Sequence, residues 1–324
     1  MPFISSPLLP FVAGSALAAA FPAPLGQPIE AGRVTGQDGE IIEIEEDRTD
    51  RMTVPVSIEG KGPFDFVIDT GAERTVVSRK IAERLGLEDE EPAELMSMAG
   101  LSMVDMVYVP SLQMGSKEYG GLVSPVLAAR HIGADGILGL DGLQDQRILF
   151  DFADSQITVE DSNHQRSGIS PREIVVTARR RSGQLIFTDA TIAGIKVNVI
   201  VDTGAQVSIA NPKLQKRLNR LRDREGEESS LIAVTGDTLG VEFGRARNFK
   251  IGRAQFDNLL VAFADAPTFA QFGMRDKPAL LLGMDILRKF DRVAIDFVQR
   301  KIYFLPPKNA RRVLERPLNS RIQS

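Results

Sequence analysis

The chain's 324 residues, 43% hydrophobic and 25% charged, have the composition of a globular protein long enough to bury two cores. A net charge of −4 offers no basic field to attract nucleic acid. The absence of Cys and a count of only two His exclude disulfides, thiol nucleophiles, thiolate metal sites and a three-histidine zinc centre, and no P-loop or G-x-G-x-x-G after a strand asks for a nucleotide cofactor.

Along the chain, the apolar run LLPFVAGSALAAAF (8–21) has the length of a signal-peptide core and is too short to span a bilayer. Ala18 and Ala20 fit a small-x-small cleavage site, so residues 1–20 read as a signal peptide, although Arg33 is the first basic side chain. Export to the periplasm or the medium, without stable membrane insertion, is the expectation. Residues 21–48 follow as a leader that turns acidic from Asp38; its acidic cluster 43–47, like 88–91, lacks the spacing of a calcium loop.

A first lobe, 49–161, opens with TVPVSIEGKGPFDFVID, two strands about a Gly-rich turn in which Phe64, Phe66 and Ile68 alternate with polar positions. The strand ends in Asp69-Thr70-Gly71-Ala72. A short apolar run at 75–77 leads to Ser78, an N-cap signal for a helix that Gly86 stops. MSMAGLSMV predicts a hairpin tip around Gly100, ADGILGLDGL carries Ile137-Leu138-Gly139, and ILFDFADSQITVE closes the lobe with two strands.

After a linker at 162–171 the plan repeats over a second lobe, 172–306. Arg179, Arg180 and Arg181 read as a solvated turn between strands. LIFTDATIAGIKVNVIVD turns near Gly194 and ends in Asp202-Thr203-Gly204-Ala205. An apolar run at 207–209, a helix start at Asn211-Pro212, a hairpin tip around Gly236, Leu281-Leu282-Gly283 and the closing pair VAIDFVQRKIYF follow in the same order. Asp151 and Asp296 echo one another in the closing pairs. A basic tail occupies 307–324. The pattern predicts a mainly β, two-lobed fold with pseudo-two-fold internal duplication and a short helix per lobe.

Each Asp-Thr-Gly turn alone is an ordinary β-turn sequence. Two of them, each after an apolar strand and each before the same helix signal, call for one explanation. Glycine permits close approach of another backbone, and a short hydroxyl can bond across a two-fold interface. If the turns meet, Asp69 and Asp202 face one another, and two such carboxylates share a proton and can activate water between them.

On these motifs the chain resembles a retropepsin-like aspartic protease, duplicated within one chain. The resemblance implies a two-lobed acid-protease fold and an endopeptidase acting on peptide or protein substrates. It implies catalytic roles for Asp69 and Asp202, loop-locking by Thr70 and Thr203, bracing by Ile137, Leu138, Gly139, Leu281, Leu282 and Gly283, and flaps around Gly100 and Gly236 over an extended peptide. Cofactor and metal are not expected, and one chain suffices for the site.

Three departures are visible. Ala72 and Ala205 stand where pepsin-like enzymes carry a hydroxyl, which predicts activity at less acidic pH than pepsin's. Neither flap tip carries Tyr. Leu140 and Met284 replace the Arg of retroviral enzymes, and the following Asp141 and Asp285 read as helix N-caps. A non-catalytic peptide-binding scaffold on the same fold is the alternative, against which the two retained Asp residues argue.

Overall fold

The computed structural model describes residues 52–161, 170–181, 183–219 and 226–308, and the backbone of three short strands, Phe11–Val12, Glu40–Glu43 and Glu45–Glu46. The cleavage site, most of the leader, linker residues 162–169 and the tail from 309 lie outside the described residues. Phe11–Val12, within the expected signal peptide, pairs in parallel with Leu95 and Met96.

Each lobe is built on a strand that starts at the surface and ends in the interior. Lys61–Ile68 exposes Asp65 between buried Phe64 and Phe66, then buries Val67 and Ile68 on both faces. Ile195–Val201 exposes Lys196 and then buries Val199, Ile200 and Val201. Period-two alternation therefore gives way to continuous apolar sequence just before each aspartate, as expected of a strand covered on both sides. The carboxylates are carried inward by the strands that precede them.

Gly136–Leu138 pairs in parallel with Lys61–Ile68 and antiparallel with Val76–Ser78. Ala279–Leu282 does the same with Ile195–Val201 and Ile209–Ala210. In both lobes the strand of the apolar-apolar-Gly motif thus lies between the strand entering the loop and the strand leaving it. The lobes form sheets of nine and ten strands.

A third, six-stranded sheet joins them. Its order is Ile174–Thr177, Lys301–Leu305, Arg292–Asp296, Gln146–Asp151, Gln156–Asp161 and Glu40–Glu43. The seam is antiparallel, with Leu149 opposite Ala294. One apolar cluster runs through it from Val54 and Phe66 to Phe187 and Phe304, so the two cores are continuous. Asp151 and Asp296 lie on either side of this seam and cap turns: Asp151 accepts from Ala153 N and Asp154 N, and Asp296 from Gln299 N.

The two expected helices form. Ser78 Oγ accepts from Ile81 N at the start of Arg79–Leu85, and Gly86 ends it in the left-handed region at φ 65°. Asn211 Oδ1 accepts from Leu214 N at the start of Pro212–Asn219, while its Nδ2 donates to Met274 O and Lys277 O. Each lobe adds two one-turn helices, Ala129–Ile132 and Leu140–Leu143 in the first, Pro267–Gln271 and Met284–Leu287 in the second. The Arg179–Arg181 run is an exposed edge strand paired with Gln184–Ile192, not a turn. Extended backbone lets all three charged side chains reach water while the strand still satisfies its hydrogen bonds.

Candidate active site

The two Asp-Thr-Gly-Ala loops meet at the lobe interface. Thr70 N donates to Thr203 Oγ1 (3.0 Å) and Thr70 Oγ1 donates to Val201 O (2.9 Å). Reciprocally, Thr203 N donates to Thr70 Oγ1 (3.2 Å) and Thr203 Oγ1 to Ile68 O (2.7 Å). Each hydroxyl gives one bond and receives one, in a region closed to water, where leaving either group unmatched costs about 1–3 kcal/mol. Thr70 and Thr203 therefore tie the two loops to one another.

Asp69 and Asp202 are both fully buried. Asp69 Oδ1 accepts from Gly71 N (2.7 Å) and Ala72 N (3.1 Å), and Asp202 Oδ1 accepts from Gly204 N and Ala205 N, both 3.0 Å. One oxygen of each carboxylate is thus held by its own loop. The other lies over the opposite loop: a methyl on Gly71 would collide with the Asp202 carboxylate, and one on Gly204 with that of Asp69. Glycine is required here for close approach rather than for φ.

Behind each loop stands the same brace. Asp69 N donates to Leu138 O and Asp202 N to Leu282 O, both 3.0 Å; Leu140 N donates to Ala72 O and Met284 N to Ala205 O, both 2.8 Å. Ile137, Leu138, Leu281 and Leu282 are buried against this framework. A Cβ on Gly139 would strike the backbone of Arg74 and Thr75, and one on Gly283 that of Ala205 and Val207.

Asp141 and Asp285 are not N-caps. Gly139 and Gly283 occupy those positions without side-chain bonds, and the aspartates lie in the first turn. Their carboxylates turn back to the loops. Asp141 accepts from Thr75 N (2.9 Å) and Thr75 Oγ1 (2.7 Å), whose oxygen accepts from Gly139 N. Asp285 accepts from Ser208 Oγ (2.6 Å), which accepts from Gly283 N. Thr75 and Ser208, read from sequence as members of apolar runs, are the missed residues; a hydroxyl at the same place in both copies was the available signal.

Both brace carboxyls are raised by burial, Asp285 to about 6. Each residue keeps some exposed surface, but the carboxyl group itself is enclosed. Bonds from Thr75 and Ser208 oppose the shift, and Arg74 pulls Asp141 down in addition.

The hairpins around Gly100 and Gly236 both reach the interface. Glu88–Ser97 and Gly100–Met114 form the first, Glu227–Ile232 and Thr238–Ala246 the second. Gly100 and Gly236 have φ of 140° and 91°, open to glycine alone at little cost. Among the described residues no group of three or more His, Asp or Glu gathers as a metal site, and no helix is long and apolar enough to cross a membrane.

Paired loops of this design, related by a pseudo-two-fold and locked through their threonines, define the retropepsin-like class of aspartic proteases. The sequence model of the family described as aspartyl protease matches residues 54–142 and again 188–286, more than half of the chain in all, and the chain belongs to that family. No curated protein matches it.

Proposed function

We propose that the protein is an aspartic endopeptidase that hydrolyses peptide bonds with a water held between Asp69 and Asp202. The observation that carries this is the crossed placement of the carboxylates, each anchored by its own loop and laid over the other's glycine. One carboxylate, ionised, takes a proton from water as it attacks the scissile carbonyl; the other, protonated, donates to the developing oxyanion. The tetrahedral intermediate collapses when the amide nitrogen receives a proton from the dyad, so no covalent enzyme intermediate, metal or cofactor enters.

The substrate is an extended peptide or protein segment in the inter-lobe cleft, covered by the hairpins around Gly100 and Gly236, which open to admit it. Both half-sites are on one chain, so a monomer suffices, and residues 1–20 would direct it out of the cytoplasm. The test compares the protein with Asp69→Asn and Asp202→Asn on a diverse peptide pool from acid to neutral pH, with products read by mass spectrometry. Each substitution is expected to abolish the same cuts. Cuts that survive either one overturn the proposal, and a protein that binds peptides without cutting them is a scaffold.

A further inference from the structure

Lobe 1 carries a cationic depression that the dyad and its braces do not use. Arg79, Lys80, Glu83 and Arg84 of the helix Arg79–Leu85 form one wall, and residues 128–130, at the start of Ala129–Ile132, form the other. It opens to solvent and has a volume of about 670 Å³. Four basic side chains and one carboxylate line it. Arg79 is paired with Asp105 (2.7 Å), and Lys80 lies 3.9 Å from Asp135. Arg84 and Arg130 have no ion pair among the described residues. The Arg84 guanidinium lies over the Phe64 ring, 5.7 Å from its centre, and Arg130 Nε donates to His131 Nε2 (3.1 Å). Both side chains are exposed and stay charged at any pH the fold meets.

The depression adjoins the cleft. One residue beyond Arg130, the ring of His131 fills the space that a Cβ on Gly236 of lobe 2 would need. Ile132 then packs with Ala72 of the Asp69 loop. A helix rises about 1.5 Å per residue, so Arg130 stands within roughly one turn of groups that touch that loop. An extended peptide advances about 3.3 Å per residue. A peptide strand that leaves the cleft past His131 therefore comes beside Arg130 a few residues from the scissile bond. Lobe 2 repeats only half of this arrangement. Lys213 and Arg217 follow Lys80 and Arg84 at the 133-residue interval that separates Thr70 from Thr203. Pro267–Gln271, at the place of Ala129–Ile132, carries no basic residue.

We infer that the depression recognises acidic side chains of the substrate, with Arg84 and Arg130 holding an Asp or Glu a few residues to one side of the bond that is cleaved. A carboxylate can accept two parallel bonds from a guanidinium, and at Arg84 and Arg130 it displaces no carboxylate already bound. The net charge of −4 works against an acidic ligand elsewhere on the molecule, so attraction is concentrated at this point. The inference names a substrate class for the hydrolytic reading above and rests on that reading.

The test uses peptide libraries that share a randomised core and differ only in an Asp-Glu or Ala-Ala pair on one flank or the other. Initial cleavage rates, read by mass spectrometry, compare kcat/KM. The acidic pair should raise it about three- to tenfold on one flank only, the scale of two partly exposed charge pairs. Arg84→Gln combined with Arg130→Gln, which keeps much of each apolar stem, should bring that ratio to one. Lys213→Gln combined with Arg217→Gln changes the net charge equally and should leave the ratio as it is. No preference, an equal preference on both flanks, or equal losses in the two double variants overturns the inference. Capture of the same libraries on immobilised Asp202→Asn protein, with and without the Arg84 and Arg130 substitutions, reads binding alone. If the wild type cuts no peptide, selective capture of the acidic library that depends on Arg84 and Arg130 leaves the site standing and counts against the hydrolytic reading; equal capture of both libraries overturns the site.

Discussion

The two lobes repeat one loop geometry with different electrostatics. In lobe 1, Arg74 lies next to the braced loop, donates from Nη1 to Val123 O, and pulls the Asp141 carboxyl down against the burial that raises it. In lobe 2, the corresponding residue is Val207, and the charge acting on Asp285 is that of Lys289. Backbone bonds to Asp69 and Asp202 match within 0.3 Å between the lobes. The comparison teaches that a duplicated scaffold conserves the position of a group while leaving its proton affinity to neighbours that the scaffold does not specify.

The largest expected effects test the equivalence of the lobes at the dyad. Asp69→Asn and Asp202→Asn should each lower kcat by about 10²–10⁴-fold, the usual contribution of acid–base catalysis, with little change in Tm. A strong loss from only one of them, measured in peptide-cleavage kinetics, would break the symmetry proposed for the mechanism.

Next comes the brace. The Asp285 carboxyl, raised from 3.8 to about 6, binds its proton more tightly folded than unfolded. Its stabilising contribution is therefore complete below the unfolded value and is lost as pH rises through about 6. The shift corresponds to about 3 kcal/mol, at 1.36 kcal/mol for each unit. Urea titrations across that window should show Asp285→Asn removing this pH dependence, and Asp141→Asn removing less, because the Asp141 carboxyl is less completely enclosed and the bonds from Thr75, with the Arg74 charge, oppose the effect of burial there. Equal effects in the two lobes would mean that this difference in surroundings does not matter.

Removing the hydroxyls sharpens the same contrast. Thr75→Val and Ser208→Ala should each cost about 1–3 kcal/mol at neutral pH, measured by denaturation. The lobe 2 variant should lose more, since the Asp285 carboxyl is the more completely enclosed of the two, while each keeps a backbone N–H, from Thr75 or Ser208, and a nearby cation, Arg74 or Lys289. The smallest effect concerns Ala72 and Ala205. A serine at either place adds a donor beside a dyad carboxylate and should move the acid limb of the pH–rate profile down by about one unit or less; an upward move would refute the role assigned to the missing hydroxyls.

Sequence made the repeated strand–loop–helix plan legible because every signal in it is local. Apolar alternation marks Phe64 to Ile68, Ser78 and Asn211 mark helix starts, and glycines mark the turns. The Asp-Thr-Gly pair was likewise readable, since repetition distinguishes it from a single turn. Thr75 and Ser208 escaped because their partners, Asp141 and Asp285, lie 66 and 77 residues away. Asp141 and Asp285 resembled N-caps for a local reason, a carboxylate at a helix start, and a nearby glycine took that position instead. The contact between the hairpins was further from reach: Ser102 and the Asp237 carboxylate that accepts from it are separated by 135 residues, and nothing in MSMAGLSMV marks Met96 and Met98 as packing with the other lobe.

The antiparallel seam in which Leu149 faces Ala294 has a genetic consequence. In a protease assembled from two identical copies, every substitution is imposed on both halves of the cleft. Here the halves share a sheet and a reading frame but not a codon, so Arg74 and Val207, or Glu73 and Gln206, can differ at corresponding places. A polypeptide substrate has a direction, with unlike residues before and after the bond to be cut. A fused pair can therefore evolve to read its target in one orientation, which a strict two-fold dimer must read equally in both.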